Sequence, residues 1–173
     1  MSGSDAALGA NAGMSGKYMT FRLASEEYGL AILKVRELIG FMEITRVPRA
    51  PSYVRGVINL RGKVIPVIDL RLKFEMAATE PTSQTVIIVV QLAPESGGLT
   101  MGILVDEVLE VRAIGQSDIE PPPALESRVD LSFILGVGKA DKRVIFLLDI
   151  DRVLTPEERR PLREITRTIP PGL

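Results

Sequence analysis

Apolar and polar positions alternate from the first patterned stretch of the chain. Between Tyr18 and Leu23, the apolar Met19, Phe21 and Leu23 alternate with Thr20 and Arg22, the period of a strand that buries one face. Ser25-Glu26-Glu27 interrupts as a polar turn, and Tyr28 to Leu33 resumes as the second strand of an opening hairpin. Lys34 to Phe41 fits a strand and a short helix equally well. Pro48 and Pro51 bracket a loop, after which Arg55 to Leu70 reads as two apolar runs around Arg61-Gly62-Lys63, a second hairpin. Pro66 has no N–H to give a ladder, which predicts an edge strand or a bulge at that point. An open edge is also a place for a partner to dock.

Glu75 to Ser83 is polar and reads as a connector between two halves. Thr85 to Leu92 and Thr100 to Val105 flank the turn-rich Pro94-Glu95-Ser96-Gly97-Gly98, as antiparallel strands do. Val108 to Ile114 is a further strand. Pro121-Pro122-Pro123 opens an irregular loop to about Ser132, and Phe133 to Val137 and Val144 to Asp149 flank the charged turn Lys139 to Arg143. Thr155-Pro156-Glu157-Glu158 then matches a helix start, with Thr as N-cap, Pro at the first helical position and Glu three residues after Thr. The helix is predicted to run to about Arg167.

The chain repeats itself. Val64 to Leu70 matches Val144 to Ile150 at every position, identical or apolar for apolar, and Gly29 to Val35 resembles Gly102 to Val108 with one apolar position lost at Asp106. The two matches occur in the same order. Two copies of a small β unit imply two barrels packed together, because a few short strands hide their edges by closing into a barrel. The fold class is therefore all-β, two packed barrels from an internal repeat, plus a C-terminal α-helix. The domain organisation is a flexible tail over 1–17, a paired unit over 18–154 with approximate halves 18–83 and 84–154 between which strands can exchange, and a helix and tail over 155–173.

Composition narrows the function. Cysteine and histidine are both absent, which removes thiolate chemistry, the commonest metal ligand and the usual general base near neutral pH. No catalytic, cofactor or metal motif is recognisable, and the expectation is a protein without enzymatic activity. Lys plus Arg number 21 against 22 Asp plus Glu, for a net charge of −1, so no overall field steers the chain to nucleic acid. Apolar runs such as Val86 to Val90 fall far short of the roughly 20 residues that span a bilayer. Met1 to Gly16 lacks the basic and apolar regions of an export signal. Protein partners and a cytoplasmic location are expected, with no membrane insertion.

Read one by one, the candidate residues have plain alternatives. Arg61, beside Gly62 at a predicted hairpin tip, is either a solvated turn residue or a guanidinium that takes a carboxylate bidentately across an interface. Glu37 either completes a local ion pair with Lys34 or meets a partner. Val35 belongs to the core or to an exposed patch. Gly56 and Gly62 serve backbone geometry first. Leu125 is an interface anchor or packs under its proline-rich loop. Asp69 and Asp149 occupy equivalent positions of the repeat, which favours a structural role at a strand end over catalysis.

Glu27 to Leu38, the phrase around Asn59-Leu60-Arg61-Gly62, and Gly102 to Val108 resemble CheW-family signatures in family order, over about Tyr18 to Leu154. The resemblance implies two five-stranded SH3-like barrels and a non-enzymatic adaptor of chemotaxis signal transduction. Such an adaptor bridges the cytoplasmic tip of a methyl-accepting chemoreceptor to the regulatory domain of a CheA-type histidine kinase. It implies no cofactor, a monomer when free, and recruitment from the cytoplasm to membrane-associated receptor arrays. Carried over onto this sequence, the receptor- or kinase-binding residues are Val35, Glu37, Gly56, Asn59, Arg61, Gly62, Val86 and Leu125. The hairpin at Ala93 to Leu99 is longer than the family pattern, and the segment after Thr155 carries no motif. Attachment to a kinase's catalytic region or to a receiver domain is not expected in a chain of 173 residues. The alternative is an SH3-like peptide-binding scaffold in a two-component pathway other than chemotaxis. An aromatic content of 5% without tryptophan is poor material for the aromatic grooves that bind proline-rich peptides.

Overall fold

The computed structural model describes residues 16–122 and 132–168. The strands, in chain order, are β1 (Gly16–Leu23), β2 (Glu26–Ala31), β3 (Val35–Gly40), β4 (Val54–Leu60), β5 (Lys63–Asp69), β6 (Val86–Gln91), β7 (Thr100–Val105), β8 (Glu107–Ile114), β9 (Ile119–Glu120), β10 (Ile134–Ala140) and β11 (Arg143–Leu148). Two single-turn helices, α1 (Leu70–Lys73) and α2 (Ile150–Val153), follow β5 and β11, and α3 (Pro156–Thr168) ends the described chain. Of the undecided Lys34 to Phe41 stretch, Val35–Gly40 form a strand. The strand expected over Tyr28 to Leu33 stops at Ala31, and Ile32–Lys34 form a 3-10 turn that redirects the chain into the other sheet.

One sheet has the order β8-β1-β2-β11-β10-β9 and the other β3-β6-β7-β5-β4. The first thus holds one strand more than the expected five, the two-residue β9. The opening hairpin, β1 and β2, is built into the sheet of the C-terminal strands, whereas β3 joins the sheet of β4–β7.

Three cores explain the apolar runs. Along β6, Ile87 and Val89 point into a core enclosed by their own sheet with Ile58, Ile65, Val67 and Leu104, while Ile88 and Val90 point into a core shared by both sheets. A strand buried on both faces needs no polar phase, which is why Val86 to Val90 is continuous. The shared core joins Phe21, Leu23 and Leu30 of one sheet to Ile88, Met101 and Ile103 of the other, and Leu162 of α3 enters it. A third core, of Tyr18, Ile114, Ile119, Ile145 and Leu147, fills the six-stranded sheet.

The repeat is visible in the pairing. β5 and β7 pair in parallel with Val67 opposite Gly102, and β11 and β2 pair in parallel with Leu147 opposite Gly29, the same partners in each copy. Asp69 caps α1 by accepting from Leu72 N at 3.3 Å, and Asp149 caps α2 by accepting from Asp151 N at 3.1 Å. Both aspartates therefore have the structural role expected of a doubled position.

Pro66 is a correction. Its strand is neither an edge nor bulged at the proline: β5 lies between β7 and β4, and the bulge falls on β4, between Val54 and Gly56. The reason is local. Val57, opposite Pro66, exchanges both its backbone hydrogen bonds with Thr45, so Pro66 faces a position of β4 where no ladder bond is made. The parallel ladder to β7 begins only at Val67.

The C-terminal helix starts as the sequence predicts. Glu158 N donates to Thr155 Oγ1 at 3.2 Å, and Thr155 N donates to Glu158 Oε1 at 2.8 Å, a reciprocal capping box.

Candidate protein-docking surface

β3 and β4 are the two edges of the five-stranded sheet, and one ion pair joins them. The β4–β5 turn has positive φ at both central residues, 51° at Arg61 and 86° at Gly62, as a type I′ hairpin requires. Asn59 Oδ1 accepts from Gly62 N at 2.9 Å and fixes this turn. The turn aims the Arg61 guanidinium at β3, where Nη1 donates to Glu37 Oε2 at 3.0 Å and Nη2 donates to Oε1. The hydrogen bonds from Arg61 hold the Glu37 carboxyl below its ordinary value despite some desolvation, and the same bonds raise Arg61.

The bidentate bond expected across an interface thus closes within the chain. The pair nevertheless stays at the surface, with the Arg61 side chain 71% exposed and that of Glu37 29% exposed. Arg61 has five N–H donors and spends two, so the rest of its fork can take a carboxylate or carbonyl from outside. Glu37 does not pair with Lys34, which donates to Asp151 Oδ2 at 2.8 Å.

The other sequence candidates fall into different surroundings. Val35 and Val86 are half-buried against the shared core, on β3 and its neighbour β6. Gly56 is buried, with φ 147°, and a Cβ there would lie 2.7 Å from the Thr45 carbonyl carbon and closer still to its oxygen. Its role is to let the 41–53 segment lie on β4. Leu125 lies outside the described residues.

Residue-by-residue reading missed Leu38, which is 42% exposed on β3 beside Glu37. Val35, Glu37 and Ile39 are the partly buried phase of that strand, and Arg36, Leu38 and Gly40 the exposed phase. A leucine on the solvent phase of an edge strand was the available signal. On the equivalent edge, β8, Val111 is 49% exposed at the matching register, opposite Met19 as Leu38 is opposite Ile88.

Among the described residues no group of three or more acidic side chains is placed to hold a metal ion, and no helix is long and apolar enough to cross a membrane. What the surface offers is a rigid hairpin tip, a shared guanidinium–carboxylate pair and an exposed leucine next to it. These are elements of protein recognition.

The chain is similar to known proteins in sequence and in fold. The family model "CheW-like domain" matches residues 17–158. The chain is 40% identical over 141 residues to a chemotaxis protein CheW of Rhizobium meliloti, covering 82% of this chain and 88% of that one. It is 36% identical over 142 residues to that of Klebsiella aerogenes, covering 82% and 83%. The crystal structure of the scaffolding protein TtCheW from Thermoanaerobacter tengcongensis superposes with a TM-score of 0.70 at 38% identity, over 78% of this chain and 89% of that one. Matched across most of its length in sequence and in fold, this chain belongs to the CheW-like family.

Proposed function

We propose that this chain is a non-enzymatic adaptor of chemotaxis signal transduction, which couples the cytoplasmic tip of a chemoreceptor to the regulatory domain of a CheA-type histidine kinase. The observation that carries the reading is the exposed Arg61–Glu37 pair at a rigid hairpin tip, in a chain whose relatives are named chemotaxis protein CheW and scaffolding protein. Such an adaptor works by differential affinity for receptor and kinase states, and no bond is made or broken on it. It is a cytoplasmic monomer when free and joins membrane-associated arrays through its partners. Val35 and Val86 support the contact from beneath, Gly56, Asn59 and Gly62 hold its backbone, and Leu125 adds an apolar anchor.

Titration calorimetry of the chain against the regulatory domain of its cognate kinase, and against a receptor-tip fragment, tests this. Arg61→Ala and Glu37→Ala are expected to weaken at least one of the two interactions by about tenfold or more while the circular dichroism spectrum is unchanged. Leu125→Ala in the same titrations is expected to weaken one of them as well. Absence of saturable heat with both partners would sink the coupling reading.

A further inference from the structure

The strongest unassigned feature lies at the other end of β4. From Ile44 to Ile68 the chain has no acidic residue and five cationic ones, Arg46, Arg49, Arg55, Arg61 and Lys63, although its net charge is −1. The first three surround two adjoining clefts. The larger, of about 500 Å³, is floored by Phe41, Ile44, Val54 and Leu72 and rimmed by Arg46, Ser52 and Arg55. The second is walled by the Val47–Pro51 stretch with Arg49 and shares Arg46 and Arg55 with the first.

These arginines differ from much of the cationic surface. Arg22, Lys34, Arg61, Arg71, Lys73 and Arg112 each have a carboxylate within ion-pair distance. Among the described residues Arg46 and Arg49 have none. Arg55 approaches only Asp69, at 3.7 Å, and that carboxylate is buried and already caps α1. Glu43, the acidic neighbour in sequence, lines neither cleft.

The backbone supplies a second, independent observation. Ala50 N donates to Val47 O at 3.3 Å, closing a turn with Pro48 second and Arg49 third. Arg49 has φ 62° there, in the left-handed region that glycine occupies without strain. A strained residue persists where the surroundings force it, and such residues concentrate at binding sites. Here the turn sets Arg49 on the wall of the second cleft.

We propose that this cleft is a second docking site, for an acidic amphipathic segment of a protein partner. Carboxylates on the segment meet Arg46, Arg49 and Arg55, and an apolar side chain covers Phe41, Ile44 and Leu72. Guanidiniums without partners favour carboxylates, and the apolar floor favours a peptide over a bare anion. The six steps along the chain from Arg55 to Arg61 span roughly 20 Å, so one partner can sit here while another holds the Arg61–Glu37 pair. The inference does not rest on the coupling reading, and either can fail alone.

Amide NMR titration of the isotope-labelled full chain with a short peptide of alternating Glu and Leu tests it. The controls are the Lys–Leu peptide of equal length, inorganic phosphate and dilution of the free chain. Shifts are expected to concentrate over residues 41–56 and Leu72, and to weaken with added salt. Arg46→Glu and Arg49→Glu should each reduce affinity about tenfold, and Arg46→Lys by less. Arg49→Gly should melt at or above the wild-type temperature yet bind less tightly, an opposition that a purely structural Arg49 would not produce. Four results would overturn the proposal: wild-type binding by Arg49→Gly, equal response to the Lys–Leu peptide, competition by phosphate at the same residues, or concentration-dependent shifts of the free chain at this cleft, which would mark self-association.

Discussion

Gly56 and Arg61 stand at opposite ends of β4 and act by different physics. Gly56 acts through what it lacks. Any side chain would overlap the Thr45 carbonyl, and because the obstacle is backbone, no rotamer change relieves it. Gly56→Ala is expected to cost about 2–4 kcal/mol through overlap and unfavourable φ together. Urea denaturation measures this directly, and a midpoint within error of wild type would refute the backbone argument. Arg61 acts through what it holds. An ion pair so open to water adds little to stability, so its bidentate geometry matters more than its energy. The residue types at the hairpin tip were legible in sequence because Arg-Gly between two apolar runs has few other readings. That Arg61 meets Glu37 was not, since 24 residues separate them and only closure of the sheet brings β3 beside the turn.

The corresponding hairpin tips and single-turn helices of the repeat carry ties of opposite sign. At one hairpin tip Arg61 holds Glu37 of edge strand β3; at the other, Asp141 accepts from Arg112 of edge strand β8 at 2.9 Å. On α1, Arg71 holds Asp106, and on α2, Asp151 holds Lys34. In both copies an aspartate of that tie accepts the alanine N–H just beyond a central strand, Ala24 by Asp106 and Ala93 by Asp151. By register Glu37 corresponds to Glu110, two residues before Arg112, so the strand ends of the two hairpin ties differ in position as well as in sign. Helix α3 has no counterpart and depends on its own cap. Thr155→Ala removes one side of the capping box and should cost about 1 kcal/mol, read as a fall in Tm of about 2–4 °C by circular dichroism. An unchanged Tm would mean that burial of Leu162 and the Lys73–Glu158 bond at 2.7 Å hold the helix alone.

At the scale of the molecule, the shared core makes the two sheets one cooperative unit. Phe21 is fully buried in it, stacked on Tyr28 with ring centroids 5.8 Å apart. Phe21→Ala is expected to cost about 3–5 kcal/mol and to shift circular dichroism and tyrosine fluorescence transitions together. Separate transitions would show that the sheets unfold independently. Asp106 reinforces this unity, accepting from Arg71 and from Ala24 N, with Arg22 close by. Burial pushes its carboxyl up, but the hydrogen bonds and the arginine charges outweigh burial and hold it below the usual range. A carboxylate depressed in the folded state gives its full stabilisation above its unfolded pKa, about 3.9, and loses it as pH falls through the folded value. Asp106→Asn should therefore cost about 2–3 kcal/mol near neutrality and flatten the acid limb of a Tm-versus-pH curve; an acid limb parallel to wild type would show that other carboxylates dominate. By itself the sequence determined most of the strands, the hairpin turns, the capped helix and the internal repeat, because period, turn chemistry and capping act over a few neighbouring residues. Only the tertiary structure decided that β1 and β2 complete the sheet of the C-terminal strands, that Pro66 is tolerated in an interior strand, and which charges meet. Those outcomes depend on which edges close on which, a choice made by burial of the shared core across long stretches of chain and invisible in any local window.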